Sequence, residues 1–384
     1  GKICEEGLVF VLPEDIQISR IVWLAEGDII VVRSGAYTGD SAIISRTYAR
    51  SIAGFDMVLR CHKANPEFVQ FTFLSNYLKE GQIDIVRKRA AQPHLNAEEL
   101  GLCLIATPPL PEQSAIAAFL DRETGKIDAL VAEQEKLIVL LKEKRQALIS
   151  HAVTKGLNPD APMKDSGVEW LGKVPEHWGV KRLRHISPGI TVGIVVEPSK
   201  YYCDEGVPAL RSLNIESGKV NRDNLVYISS EANILLNKSR LRAGDLVVVR
   251  SGQPGTTAVV PLDLDGCNCI DLIIIRKPEN GYEKYLCWYL SSDMATRQFE
   301  LGSDGAIQKH FNIGMALDLI VPIPPLPEQS AIVAHLDQQT ARLDALAAEA
   351  QRAIELLKER RSALISAAVT GKIDVRGLGN RGAA

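Results

Sequence analysis

The sequence lacks the short motifs of nucleotide-dependent and methyl-transferring enzymes. It has no Gly-x-x-x-x-Gly-Lys-Ser/Thr phosphate loop and no Gly-x-Gly-x-x-Gly segment after a predicted strand. Its Pro-Pro-Leu-Pro segments have no Asn or Asp before the prolines and no Tyr or Phe after them, so they do not form the Asn/Asp-Pro-Pro-Tyr/Phe signature of a methyltransferase. We therefore expect a chain with no catalytic residues of its own.

Cysteine pairs, long apolar runs and excess charge are scarce as well. Cys267 and Cys269 form the only close pair among seven cysteines, and no second pair follows at zinc-ligand spacing, so we expect reduced thiols and no metal site. The longest apolar runs have the length of a strand, far short of the roughly 20 residues that cross a membrane, which predicts a cytoplasmic protein. A net charge of −3 excludes DNA binding by overall charge but leaves a local basic groove open.

The chain contains an internal duplication. The nine residues Pro-Pro-Leu-Pro-Glu-Gln-Ser-Ala-Ile occur at Pro108–Ile116 and again at Pro324–Ile332. The match continues without a gap to Thr154 and Thr370, with about two thirds of the residues identical. Upstream, both copies contain Gly-Asp, a hydrophobic run and Arg-Ser-Gly, followed later by a Gln-x-His-x-Asn segment. The repeating module is close to 200 residues, so each copy is a domain with an added element.

The added element is predicted to be a long helix. Each nonapeptide places a Glu in the first helical turn, where it suits the helix dipole, and a heptad-like run of apolar residues follows. About 40 helical residues would make a rod of roughly 60 Å. An apolar stripe of that length needs a partner, and we expect the two helices to pair as an antiparallel coiled coil. The predicted interface comprises Ile127, Leu130, Leu137, Leu141, Leu148, Leu343, Leu346, Leu357 and Leu364.

The region before each helix is predicted to be a β-rich α+β domain. Short β-branched runs alternate with Gly, Pro, Asn and Ser turns, and one or two stretches have helical spacing. Trp170 and Trp178 are interpreted as a packed aromatic edge rather than as groups that stack on bases.

Together these elements resemble the specificity subunit of type I restriction-modification systems. The resemblance rests on the duplicated nonapeptide, the Gly-Asp and Arg-Ser-Gly strand, the Gln-x-His-x-Asn segment and the stretch Met163–Ile186. It implies two target-recognition domains that each read one half of a split DNA sequence, and a helix pair that fixes their spacing. It also implies two methyltransferase subunits and motor/nuclease restriction subunits as partners, which would hold S-adenosylmethionine, ATP and Mg²⁺, while this chain binds none of them.

The resemblance predicts five segments. We expect a first target-recognition domain over 1–107, a spacer helix over 108–156, a second domain over 157–323, a second spacer helix over 324–372 and a disordered tail over 373–384. The first domain has no counterpart of Met163–Gly218, about 50 residues of the second domain. Either the sequence is a piece of a longer chain or the natural chain lacks this part.

Candidate DNA contacts are polar and basic residues of predicted loops, because such side chains read base edges and hold phosphates. The interpretation that they are turn or ion-pair residues is the alternative at each position. In the second domain the candidates are Arg211, Ser212, Asn214, Lys219, Arg250, Ser251, Gln253, Gln308, Lys309 and His310; in the first they are Arg33, Ser34, Tyr37, Thr38, Gln92 and His94.

Two further functions remain open at this stage. A silent or truncated specificity cassette would bind the modification subunit through its helices without reading a complete target, and the shortened first domain favours this. A stand-alone enzyme would need a catalytic constellation, which we do not find in the sequence.

Overall fold

The computed structural model describes residues 1–3, 5–12, 14, 21–87, 93–278, 283–301 and 311–376. The chain divides into two compact units. Unit 1 comprises Gly1–Ile138 together with Ala348–Ala384, and unit 2 comprises Val139–Ala347. Each unit therefore contains one globular part and a portion of both long helices.

Unit 1 is built around a small antiparallel sheet. Three of its strands pair in the order β3-β2-β5, and β1 pairs with β4. Helix α1 and the two long helices cover the sheet with apolar side chains. The strands are β1 (Val22–Trp23), β2 (Ile29–Val31), β3 (Ser41–Ile43), β4 (Ile52–Ala53) and β5 (Met57–Leu59). The short helices are α1 (Pro66–Leu74), α2 (Asn76–Leu78), a π-helix (Lys79–Ile83), α3 (Asp84–Arg87) and α4 (Ala97–Gly101).

Unit 2 contains two four-stranded sheets. One is antiparallel with the order β16-β15-β18-β9, and the other has the order β10-β14-β11-β17 with β11 and β17 parallel. The strands are β6 (Met163–Asp165), β7 (Lys173–Pro175), β8 (Gly179–Arg182), β9 (Ile190–Val192), β10 (Tyr202–Cys203), β11 (Val207–Leu210), β12 (Ile215–Glu216), β13 (Lys219–Val220), β14 (Val226–Ile228), β15 (Leu246–Val249), β16 (Thr257–Val259), β17 (Asn268–Cys269), β18 (Leu272–Ile275) and β19 (Ile320–Ile323). The short helices are α6 (Ser230–Leu235), α7 (Glu283–Leu290), α8 (Asp293–Leu301) and α9 (Ile313–Asp318).

Both faces of the central sheet of unit 2 are buried. Leu246 and Val248 of β15 pack towards α7 and the long helices, while Val247 and Val249 pack into a separate core. Successive strand residues point to opposite faces, so a strand buried on both sides has no polar positions. This explains why β15 and β18 are unbroken runs of Leu, Val and Ile.

The two copies of the duplicated domain share the same backbone details. The amide of Gly27 donates to the carbonyl of Ile44 at 2.9 Å, and Gly244 donates to Val260 at the same distance. The following aspartates, Asp28 and Asp245, are both buried. The sequence repeat is therefore a structural repeat, and the expected α+β class is confirmed.

A π-helix lies in the segment where the two copies differ in length. Ser75 and Ser292 each begin a helix, as do Asn96 and Asn312, but the first copy has one more residue between these caps. The Lys79–Ile83 π-helix falls inside this interval. A π-helix accommodates an added residue by widening one turn, and this keeps the flanking helical residues in place.

The two long helices are α5 (Leu110–Lys155, 46 residues) and α10 (Leu326–Val369, 44 residues). In unit 1 the Asp128 carboxylate of α5 meets Arg361 of α10 at 2.9 Å, and in unit 2 Arg145 meets Asp344 at 3.0 Å. The partner numbers rise along one helix as they fall along the other, so the helices run antiparallel, as expected.

The interface of the pair differs from the predicted one at alternate positions. Ile127, Leu141 and Leu343 are at most 9% exposed, but Leu130, Leu137 and Leu346 are 51%, 41% and 49% exposed. Leu148, Leu357 and Leu364 are half-buried. Val131, Ile138 and Ala347 are half-buried, and each lies one residue after an exposed leucine of the predicted interface. Ile354 of α10 is buried. Both choices are apolar in the sequence, and a seam of this kind is set by the facing helix.

Glu328 of the second nonapeptide anchors the segment that follows α5. Its Oε2 accepts the indole N–H of Trp178 at 3.0 Å and lies 2.7 Å from the Nε2 of His177. Trp178 is only 1% exposed, in agreement with its interpretation as a packing residue. Glu328 therefore makes a structural contact in addition to its favourable position at the start of the helix.

Replacing Glu328 by alanine should lower the stability of unit 2 by about 1–3 kcal/mol, because a hydrogen-bonded carboxylate is lost beside a buried indole. Urea unfolding followed by tryptophan fluorescence measures this, since Trp170, Trp178 and Trp288 all lie in unit 2. Glu112→Ala is the matched control, because among the described residues no side chain hydrogen-bonds Glu112. Equal losses for both variants would contradict the anchoring role.

Candidate nucleic-acid interface

In unit 1 two motifs that lie about 60 residues apart in sequence meet at one end of strand β2. The amide of Leu95 donates to the carbonyl of Arg33 at 2.9 Å, and the amide of Gly35 donates to Pro93 at 3.3 Å. Ser34 and His94 form an isolated antiparallel bridge. The Arg-Ser-Gly loop and the Gln-x-His-x-Asn segment thus form a single surface.

This surface presents several polar side chains to solvent. Arg33, Ser34, Tyr37 and His94 are exposed, and Tyr37 is 72% exposed. Guanidinium, hydroxyl and imidazole groups on one surface are the types that contact phosphates and base edges. These four residues stay predicted DNA contacts, and Gln92 lies outside the described residues.

Thr38 has a different place from its neighbours. It is fully buried, and its hydroxyl lies within hydrogen-bond distance of two backbone carbonyls, those of Gly35 (2.8 Å) and Pro93 (3.2 Å). The side chain therefore holds the loop against the second motif. Its contribution to DNA binding would be to position the exposed residues.

Unit 2 contains the same junction. The amide of Phe311 donates to the carbonyl of Arg250 at 3.2 Å. Arg250 is held back from solvent, since its Nη1 donates to Asp271 Oδ1 at 2.8 Å and its side chain is 24% exposed. Ser251 is half-buried and Gln253 is exposed. Gln308, Lys309 and His310 lie outside the described residues.

The Arg211–Asn214 turn is largely a structural feature. Asn214 is fully buried; its Oδ1 accepts the amide of Arg211 at 2.9 Å, and its Nδ2 donates to the carbonyl of Asp223 at 2.9 Å. Arg211 itself donates to the carbonyl of Asn224 at 2.6 Å. This geometry favours the alternative interpretation, a turn residue, for Asn214.

Ser212 and Lys219 are the exposed candidates of this part of unit 2. Gly218 donates its amide to the carbonyl of Thr257 at 2.8 Å, which places the β12–β13 hairpin beside β16. Lys219 therefore lies near the loop that carries Gln253. A cation and an amide on neighbouring segments suit contact with a DNA strand.

Asp271 was not identified from the sequence, although it fixes Arg250. It has a positive φ of 50°, which is uncommon for a residue with a side chain. The only sequence signal is an Asp that directly precedes the buried run of β18, and such a signal does not reveal its partner.

Cys267, Cys269 and Cys287 of unit 2 are buried like apolar core residues. Burial raises the pKa of Cys267 to about 12 and that of Cys287 to about 12, so their thiols stay protonated at neutral pH. Within the described residues no cluster of His, Cys, Asp or Glu is arranged to hold a metal ion. A search of the same residues found no helix that is both long and apolar enough to cross a membrane.

Comparison with known proteins relates this fold to a known family and to solved structures. Residues 18–138 match the family described as "Type I restriction modification DNA specificity domain". A solved structure titled as a study of assembly and conformational transition in the type I R-M system superimposes with a TM-score of 0.73. It is 20% identical and covers 92% of this chain and 85% of its own. The HsdS subunit of Thermoanaerobacter tengcongensis gives a TM-score of 0.50 at 20% identity, over 91% and 82% of the two chains. These likenesses concern the fold.

Curated relatives extend the similarity over most of the chain. The EcoBI specificity subunit of Escherichia coli is 27% identical over 289 residues, 73% of this chain and 60% of the relative. The EcoKI specificity subunit of Escherichia coli is 25% identical over 385 residues, 97% of this chain and 80% of the relative. The chain thus spans less than two thirds of the first of these relatives. Over most of its length, the chain is similar to specificity subunits of type I restriction enzymes.

Proposed function

We propose that this chain is the DNA-reading subunit of a type I restriction-modification complex and is not itself catalytic. The observation that supports it is the duplicated junction of the Arg-Ser-Gly loop with the Gln-x-His-x-Asn segment, which in unit 1 presents Arg33, Ser34 and His94 together. Two copies of this junction suit a target with two separate halves.

The remaining parts of the proposal follow from this role. The first and second β-rich domains would each read one half of the target, and α5 with α10 would set the spacing and bind two methyltransferase subunits. Motor/nuclease restriction subunits would join the complex. Partner subunits would hold S-adenosylmethionine, ATP and Mg²⁺, and the complex would act on DNA in the cytoplasm. The domain boundaries at residues 107, 156, 323 and 372 also remain predictions.

Sequencing the methylated bases of a host that expresses the chain with its modification subunit tests the proposal. We expect a split motif with methylated adenines that is absent when the modification subunit is expressed alone. An Arg33→Ala, His94→Ala double variant should weaken or relax one half of the motif and leave the other half unchanged.

Other outcomes would count against the proposal. A palindromic motif would mean that two copies assemble and only one domain reads. Co-purification with the modification subunit but no new methylation would favour a silent cassette, and no binding to that subunit would overturn the proposal altogether.

A further inference from the structure

Unit 2 contains a basic cleft at the end of β15 opposite to the Arg250 loop. The cleft has a volume of about 710 Å³ and lies around the start of the strand, where Arg242 leads to Asp245. Its charged lining residues are Arg240, Arg242, Arg276, Lys277, Asp245 and Asp265. Four cations therefore face two carboxylates.

One of these cations is needed by the fold. Arg276 donates to Asp245 Oδ2 at 2.6 Å and to the backbone carbonyls of Arg240 and Lys238 at 2.8 Å. Both carboxylate oxygens of Asp245 are hydrogen-bonded in this arrangement, because they also accept the amides of Arg242 and Lys277. The structural pair of the cleft is thus Asp245 with Arg276.

The other three cations have few charge partners. Within the described residues the side chains of Arg240 and Arg242 have no ion-pair partner, and Lys277 has a loose one, Glu283 at 3.7 Å. One carboxylate oxygen of Asp265 accepts the amide of Ala243. Like charges held together at one surface repel, so this arrangement costs stability unless an anion binds.

The duplicated domain shows that the fold does not require these three cations. Unit 1 keeps the Asp28–Arg60 pair at 3.2 Å, the counterpart of Asp245–Arg276. Counted from Asp28 and Asp245, however, Trp23 stands in place of Arg240 and Ala25 in place of Arg242. Counted from Arg60 and Arg276, Cys61 stands in place of Lys277. The same Asp–Arg framework therefore forms with uncharged residues at these three positions.

We propose that Arg240, Arg242 and Lys277 bind the phosphodiester backbone of duplex DNA next to the half-site that unit 2 reads. This inference rests on the proposed function. A methyltransferase subunit that binds both repeats alike would need a surface that is repeated, whereas these cations occur in only one copy. The two halves of a DNA target differ from each other, so DNA suits a surface present in one domain only.

Salt-dependent binding tests the inference. The full chain with its modification subunit binds a fluorescent duplex carrying the methylated motif, and the affinity is measured between about 50 and 200 mM salt. We expect Arg240→Gln with Arg242→Gln to weaken binding about tenfold or more and to reduce the slope of log K against log[salt] by about 2, for this duplex and for an unrelated one. The matched control is Lys164→Gln with Lys181→Gln, which removes two exposed lysines of β6 and β8.

The outcomes separate this inference from the proposed function. Failure of the unaltered complex to prefer the motif duplex would count against the proposed function. A motif preference in the unaltered complex, with the same affinity and slope in the Arg240→Gln, Arg242→Gln variant, would overturn the inference. Loss of the modification subunit from that variant would also overturn it, because the cleft would then bind an acidic protein surface.

Discussion

Replacing Asp245 by alanine is expected to destabilise unit 2 by about 3–5 kcal/mol, the range found when one partner of a buried ion pair is removed. The Asp245 side chain is 1% exposed, and its oxygens accept Arg276 Nη1 at 2.6 Å, the amide of Lys277 at 2.9 Å and the amide of Arg242 at 3.0 Å. The substitution leaves three donors without this acceptor, one of them charged, at the start of the central strand β15.

The duplicated domain provides the control for this prediction. Asp28→Ala removes the same residue of the same motif, but Arg60 is 50% exposed and can recover water when its partner is lost. We expect a loss of about 1–3 kcal/mol there. Hydrogen exchange followed by mass spectrometry resolves the two units, and the amides of β15 and β18 should show the larger loss of protection. Equal losses in the two units would mean that burial of the arginine partner does not determine how much stability the substitution removes.

The repeated Gly-Asp motif illustrates what the sequence allowed us to predict. Its position before a hydrophobic run correctly predicted a turn into a strand, because Gly244 has a positive φ of 87° and β15 is buried along its whole length. The role of the aspartate was not predicted. Its partner Arg276 lies 31 residues away, after strands β15 to β18, and no local pattern connects them.

Candidate DNA contacts were the least predictable part. Arg250 and Asn214 have the side chains that read DNA, yet the structure ties them to Asp271 and to the carbonyl of Asp223. The same functional groups serve turns and grooves, so residue type alone does not separate the two uses. The meeting of Ser34 with His94 also depends on how strand β2 packs, which the spacing of the motifs does not reveal.

The phase of the helix pair shows a third limit. Ile127, Leu141 and Leu343 of the predicted interface are buried. The apolar positions between them, however, could follow three or four residues further along each helix. The side chains that settle the phase further along include Thr124 and Thr340, which are buried although they are polar. The hydroxyl of Thr340 donates a hydrogen bond to the carbonyl of Leu336 at 2.7 Å. A buried threonine of this kind is invisible to a search for apolar periodicity.

Alanine substitutions in α5 measure this phase directly. Ile127→Ala is expected to cost about 2–4 kcal/mol, because Ile127 is 5% exposed and the truncation leaves a cavity between the helices. Leu130→Ala, three residues on and 51% exposed, is expected to change stability by less than about 0.5 kcal/mol. Ile354→Ala and Leu356→Ala form the same contrast in α10, with exposures of 2% and 65%. Urea unfolding and hydrogen exchange of unit 1 provide the measurement.

The contrast between Ile127 and Leu130 also bears on assembly. A large loss of stability for Leu130→Ala in the isolated chain would restore the seam predicted from the sequence and contradict the four-residue step. A neutral effect in the isolated chain, combined with weaker retention of the modification subunit, would assign the exposed leucines of the helices to that partner. Large apolar side chains exposed on a helix pair lose contact with water only when another chain covers them. The same variant therefore distinguishes a leucine that holds the helices together from one that serves the assembled complex.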